Sequence, residues 1–406
     1  MFPMLRFTTA GESHGQALVS VLEGMPAGVG LLASDIDAQL ARRQAGYGRG
    51  RRMQIESDCV EILSGVRDGE TIGAPVAMLI RNRDWRNWEQ IMRVAPDDRT
   101  DEHRTPRTRA VTRPRPGHAD LAGMLKYDRA DARDILERAS ARETTARVAA
   151  GAACRMLLKS LDVTIGSHVV ELGDVVAQRP VTMPVDLNAV ADQSALRTLD
   201  GDAEERMVAL IDEAKRAGDT LGGICEVVLT GLPVGLGSHV SWDRKLDGRL
   251  AGALMSIHAV KGVEIGLGFG SARLHGSKVH DEIDPDDTCV SRGRVSRRSN
   301  NAGGLEGGIT TGEPLVLRVA MKPISTLMRP LASIEMATRE SAASTVERSD
   351  VTAVPAMGVI AEAMAAFVVA DAMLEKFGGD SLTELRRNRD GYLRYLAERD
   401  SGSPLA

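Results

Sequence analysis

The stretch RVAAGAACRMLLKSL at residues 147–161 decides the fold. Ala149, Ala150, Gly151, Ala152 and Ala153 carry almost no side chain, so a helix through them can approach a neighbour closely; the run from Ala139 to Leu161 is predicted as a central core helix. A second apolar run, Pro355 to Phe377, has Glu362 and Asp371 as its rare charges and is predicted as another core helix. Around them, residues 4–9 and 17–22 read as strands joined by a turn. Residues 34–43 read as a helix with Ile36 and Leu40 four apart, and 59–66 and 75–80 as strands about the turn Asp68-Gly69-Glu70-Thr71. Residues 203–216 and 247–257 have helical periodicity, and 222–229 reads as a strand. Gly73-Ala74-Pro75-Val76 before one strand is echoed by Gly312-Glu313-Pro314-Leu315 before another, so an internal duplication of a β–α–β unit is expected. The class is α+β, with one catalytic domain over 1–380 and a capped C-terminal helix and exposed tail over 381–406. Polar, proline-punctuated residues 168–215 read as peripheral.

With 406 residues, 43% of them hydrophobic, the chain can bury a large core. Its 51 Lys+Arg against 56 Asp+Glu leave a formal charge of −5, so any anion site must be local. Aromatic content of 3% leaves few stacking platforms for single-stranded nucleic acid. Cys59, Cys154, Cys225 and Cys289 lie far apart without C-x-x-C or zinc spacing, and read as reduced. No HExxH or similar metal spacing occurs, and the acidic run Asp281 to Asp287 fails the EF-hand pattern. Residues 1–10 show no signal-peptide pattern and no stretch reads as long and apolar enough to span a bilayer, so the cytoplasm is expected.

Chemistry concentrates on loops. Arg115-Pro116-Gly117-His118-Ala119-Asp120 presents a histidine between a cation and a carboxylate, an arrangement that sets a protonation state and aims a ring. Alone it would be a solvated Pro-Gly turn, but GESHG at 11–15 offers a second histidine, His14, in a glycine-bracketed turn. Arg138-Ala139-Ser140-Ala141-Arg142-Glu143 opens the core helix with Ser140 and Glu143 at capping-box spacing and arginines on either side, features of an anion site. Arg42 and Arg43 end the first helix before Gly46-Tyr47-Gly48-Arg49-Gly50; dipole complementation is the simpler account of Arg42. Residues 81–113, with Trp85, Trp88 and many arginines, read as a loop or lid over an anionic substrate, since acidic residues interrupt the charge that a nucleic-acid arm would keep. Gly266-Leu267-Gly268-Phe269-Gly270 lacks the spacing of a dinucleotide fingerprint. Lys322-Pro323-Ile324-Ser325-Thr326 supplies a cation and two hydroxyls. Arg348-Ser349-Asp350 again sets a cation beside a carboxylate. At ~4 Å and an effective dielectric near 20, each arginine–anion pair contributes about 4 kcal/mol before desolvation, which suits a small substrate with phosphate and carboxylates. With two histidines and no activated Ser or Cys nucleophile, elimination of phosphate is the simplest matching reaction.

GESHG at 11–15, RPGHAD at 115–120, RASARET at 138–144, KGVEIGLGF at 261–269, SNNAGGLEGGITTGEP at 299–314, KPISTL at 322–327 and RSDVTAVPA at 348–356 together resemble the chorismate synthase family. The resemblance runs in order from about residue 5 to about residue 380. It implies a β–α–β sandwich with helices between two antiparallel sheets, a homotetramer, and 1,4-anti elimination of phosphate from 5-enolpyruvylshikimate-3-phosphate to give chorismate. Reduced FMN would be required without net redox change, and an external flavin reductase is expected, because no nicotinamide fingerprint is present. By the same resemblance, His14 would protonate the departing phosphate and His118 would stabilise or protonate the flavin, roles that are exchangeable between the two. Ser13 and Asp350 would relay a proton near flavin N5. Arg43, Arg49, Arg115, Arg142 and Arg348 match the substrate-facing arginines, and Arg43 and Arg49 also match positions tied to NADPH in members that reduce their own flavin. FMN contacts would be Arg138, Ala139, Ser140, His258, Ala259, Gly307, Lys322, Pro323, Ile324, Ser325, Thr326 and Arg348. His258 departs from the amide side chain expected there. An FMN-dependent oxidoreductase with net hydride transfer and a polyanion-binding protein are the other classes to be distinguished.

Overall fold

A computed structural model describes residues 4–49, 58–96, 109–289, 292–346 and 350–399. Strand β1 (Arg6–Ala10) turns back into β2 (Ala17–Glu23), followed by α1 (Ala33–Gln44), β3 (Val60–Ile62), the hairpin β4 (Val66–Arg67) and β5 (Glu70–Thr71), and β6 (Val76–Arg81). These form a four-stranded antiparallel sheet in the order β1-β2-β6-β3. Alternation sets its buried face: Leu18, Ser20 and Leu22 of β2 and Val76, Met78 and Ile80 of β6 all point into the core. Short helices α2 (Trp85–Trp88), α3 (Asp120–Tyr127) and α4 (Arg133–Leu136) lead to a 3-10 turn at Ala141–Glu143 and then α5 (Thr144–Lys159).

The second half repeats this plan. Strands β7 (Thr164–Leu172) and β8 (Val175–Val176), helices α6 (Leu187–Ala191) and α7 (Gly201–Ala217), and β9 (Gly223–Thr230) precede α8 (Leu246–Met255) and β10 (Val260–Ile265). Hairpins β11 (Ile283–Pro285) with β12 (Val295–Arg297) and β13 (Leu305–Glu306) with β14 (Ile309–Thr310) lead to β15 (Leu315–Met321). The hairpin β16 (Ala332–Ile334) with β17 (Ser341–Ala343) precedes α9 (Val354–Phe377) and α10 (Leu382–Arg399). This sheet runs β10-β15-β9-β7-β8, antiparallel throughout. Set beside the first, β7, β9, β15 and β10 take the places of β1, β2, β6 and β3, while α8 and α9 take those of α1 and α5. The duplication expected from two short echoes thus extends to strand order, a hairpin and two helices.

Helices α1 and α5 lie on the first sheet, α8 and α9 on the second, and α5 packs on α9 between them. The two halves also exchange contacts at their helix starts. Arg147 of α5 donates to the carbonyl and hydroxyl of Ser256, just beyond α8, and Val351 N–H, just before α9, donates to the Gly48 carbonyl beyond α1. Among the described residues α9 is, contrary to the sequence reading, long and apolar enough to cross a membrane; 94% of its most apolar window is buried inside the fold. Its Glu362 carboxylate is buried against Arg42, Arg155 and Arg197 and accepts from Ser167 Oγ and Asn188 Nδ2.

That network corrects the reading of 168–215 as peripheral. Residues 164–172 are an inner strand, His168 is buried beside Glu226, and Asn188 and Arg197 reach inward to Glu362. A buried carboxylate needs cations wherever the chain can supply them, and here polar sequence serves the interior. Ser381 caps α10 by accepting from Glu384 N–H; the tail at 400–406 lies outside the described residues.

Candidate active site

GESHG joins β1 to β2, and its turn is fixed by Asn82 Nδ2, which donates to the Ser13 and Gly15 carbonyls at 3.3 and 3.0 Å. Glu137, just past α4, then grips the turn three times. Its carbonyl accepts from Ser13 N–H at 2.9 Å, and its carboxylate accepts from His14 N–H at 2.9 Å and lies 2.9 Å from His14 Nδ1 through both oxygens. The His14 ring stacks on Trp88 with centroids 3.6 Å apart and planes 18° from parallel. Trp88 is anchored by Nε1 donation to Asp84. One part of the 81–113 segment therefore covers a candidate histidine, while 97–108 lies outside the described residues.

RPGHAD forms a turn in which Gly117 takes φ +78°, a conformation a side chain would strain. Asp120, wholly buried at the start of α3, accepts from Arg115 N and Nε and from His118 Nδ1 at 2.5 Å. Burial alone would raise the Asp120 pKa, but hydrogen bonds from His118 and Arg115 hold it well below the usual carboxylate range. Arg115 Nη1 also donates to Thr326 Oγ1 at 2.9 Å, and Lys322 Nζ donates to the Gly117 carbonyl. RPGHAD and KPIST, distant in sequence, thus form one wall. Lys322 N–H donates to the Ala259 carbonyl, which brings in His258 and Ala259; Ala259 itself sits at φ +64°.

His258 Nδ1 is buried without a hydrogen-bond partner, 3.8 Å from Glu143 Oε2. Burial pushes its pKa down to about 4, against the pull of Glu143, with Arg147, His118 and Arg138 as further neighbouring charges. It is therefore a neutral ring at working pH. Glu143 does not complete the expected capping box, because its carboxylate is taken by Thr9 Oγ1 and Arg147 Nε at 2.7 Å each. Ser140 caps only the 3-10 turn, through Arg142 N–H, and donates to Ser13 Oγ at 3.1 Å. Arg138 is tied to the Thr9 and Gly11 carbonyls.

A second group of charges adjoins Ser140. Arg43 donates to Thr144 Oγ1 and the Ala141 carbonyl, Arg142 Nη1 lies 2.7 and 2.9 Å from the two Asp58 oxygens, and Arg49 lies 3.3 Å from Asp350. Burial, then Arg49, lowers the Arg43 pKa to about 9, which leaves it a cation at neutral pH. Among the described residues, three guanidiniums here face two carboxylates, an excess that suits an anion. Arg348 lies outside the described residues. Gly307 stands apart, in the β13–β14 turn, where Gly308 accepts from Leu246 N–H at the start of α8. A ten-residue helix therefore separates it from His258, a span of roughly 15 Å. Sequence reasoning missed Glu137, Asp58 and Thr9; the one signal was a lone carboxylate, Glu137, directly before RASARET.

A sequence model of chorismate synthase matches residues 5–374. The chorismate synthase of Geobacter sulfurreducens is 58% identical over 396 residues, spanning 97% of this chain and 99% of that one. That of Mycolicibacterium paratuberculosis is 55% identical over 403 residues, 99% and 98% of the two chains. A crystal structure of chorismate synthase, 42% identical, superposes with a TM-score of 0.76 over 97% of this chain and 98% of that one. Matched nearly end to end in both sequence and fold, this chain belongs to the chorismate synthase family.

Proposed function

We propose that this protein eliminates phosphate from 5-enolpyruvylshikimate-3-phosphate in a 1,4-anti sense to give chorismate, with reduced FMN as cofactor. The observation that carries the reading is the pairing of each candidate histidine with its own buried carboxylate, His14 with Glu137 and His118 with Asp120, with the arginine group adjoining Ser140, which bonds the residue before His14. Arg43, Arg49 and Arg142 would hold the substrate's phosphate and carboxylates. His14 would hand a proton to the phosphate oxygen as the C–O bond breaks, and His118 would face the cofactor beside Arg115, Lys322 and Thr326. Chorismate synthases are carbon–oxygen lyases, and elimination without net redox change fits a site built from proton donors and fixed cations.

The residues fit a flavin. The unpartnered Nδ1 of neutral His258 is a hydrogen-bonding group beside Ala259 and Lys322, and these residues, with Gly307 beyond α8, would hold the cofactor. When bound, reduced FMN would supply the transient electron that no side chain here can provide. Ser13 and Asp350 would carry protons near it, although the structure holds them on different partners, Ser140 and Arg49. The assembly would be a homotetramer in the cytoplasm, with an external flavin reductase rather than NADPH at Arg43 and Arg49.

The test is anaerobic phosphate release with photoreduced FMN, comparing wild type with His14→Ala and His118→Ala. Phosphate and chorismate in equal amounts, no net flavin oxidation and a large loss in both variants are expected. Reductant consumed in step with product would assign an oxidoreductase instead.

A further inference from the structure

We infer that Glu137 is a positioning residue that fixes the hydrogen of the His14 ring on Nδ1, so that His14 exchanges protons with substrate through Nε2 alone. The inference rests on the acid role proposed for His14. Its basis is geometric. Both Glu137 oxygens lie 2.9 Å from Nδ1, the Glu137 side chain is 1% exposed, and the same carboxylate accepts the His14 backbone N–H. A carboxylate accepts only, so Nδ1 must be the donor in every state of the ring. The Glu137 carbonyl also holds the Ser13 N–H, which ties the backbone of the turn to the residue that aims its side chain. Trp88 stacked on the ring, and Arg133 3.7 Å from Glu137 and 5.7 Å from the Trp88 ring, prevent the imidazole from swinging away.

The consequence for the reaction is a defined proton path. The doubly protonated ring gives its Nε2 hydrogen to the phosphate oxygen as the C–O bond breaks and the bonding electrons stay on that oxygen. The ring is left neutral with its hydrogen still on Nδ1, and Glu137 keeps its proton count unchanged throughout. Reprotonation from water at Nε2 resets the site.

The test uses the full enzyme with Glu137→Gln, Glu137→Ala, His14→Ala and the double variant His14→Ala/Glu137→Gln. The readouts are kcat and KM for phosphate release, thermal melting, and the ¹⁵N resonances of the His14 ring. Glu137→Gln keeps the shape and is expected to lower kcat on the order of 10–100-fold with KM nearly unchanged. In Glu137→Ala the neutral ring is expected to move its hydrogen from Nδ1 to Nε2. The double variant is expected to be no worse than His14→Ala, because the two residues act as one unit. A Glu137→Gln enzyme within about twofold of wild type while His14→Ala is inactive, losses that multiply in the double variant, or a ring tautomer unmoved in Glu137→Ala would each overturn the inference. Normal turnover by His14→Ala would instead remove the acid role of His14, and this inference with it.

Discussion

Gly151 of α5 and Ala363 of α9 meet where the two central helices cross: a Cβ built on Gly151 would lie 2.4 Å from the Ala363 Cβ and 2.6 Å from its carbonyl oxygen. The backbones touch there, so no side-chain rotation can make room. Gly151→Ala is expected to destabilise the fold by ~1–3 kcal/mol, read as a lower urea midpoint at unchanged slope. Gly252→Ala, in α8 with nothing within 4 Å, serves as the control and is expected to be neutral or stabilising.

Glu362 compensates three arginines in the interior. Burial alone would raise its pKa, but Arg42 and Arg155 bring it down to about 2. A depressed carboxylate stabilises the fold above its unfolded pKa near 4.5 and loses that contribution as pH falls through about 2. Glu362→Ala strands the arginines and should cost about 3–5 kcal/mol at neutral pH, measured by chemical denaturation.

His258 acts with the same sign in a higher pH range. Its pKa is about 4 in the fold against 6.5 unfolded, so between these values the unfolded chain binds more protons and stability falls as pH falls. His258→Gln should remove on the order of 2–3 kcal/mol of that acid sensitivity, flattening the melting temperature between pH 6.5 and pH 4.

Arg115 bonds Asp120 through a planar fork and reaches Thr326 with the same group, so one guanidinium ties RPGHAD to KPIST. Lysine keeps the charge but cannot span both. Arg115→Lys should lower kcat/KM on the order of 10–100-fold, with most of the thermal stability retained.

The long periodic segments were legible because their burial is written in their composition: α5 in alanines, α9 in an unbroken apolar run, β2 and β6 in alternation. The loops that gather at the site were legible as chemistry, yet their assembly was not, since nothing local says that Lys322 will reach the Gly117 carbonyl. The polar interior was hidden for a related reason. Arg197 and Asn188 look like surface residues until Glu362, more than 150 positions away, needs them. Glu143 shows the limit of a local pattern: at capping-box spacing, its carboxylate is instead taken by donors from Thr9 and Arg147.

The matching strand orders of the two halves have a further meaning for the chemistry. If two identical chains stood in place of the two halves, every group at the junction would appear twice, and a proton donor on one side would face its own copy on the other. Joining both halves in one polypeptide removes that obligation. The end of α1 can carry arginines while the end of α8 carries an uncharged imidazole, so the two halves offer different chemistry at matching places.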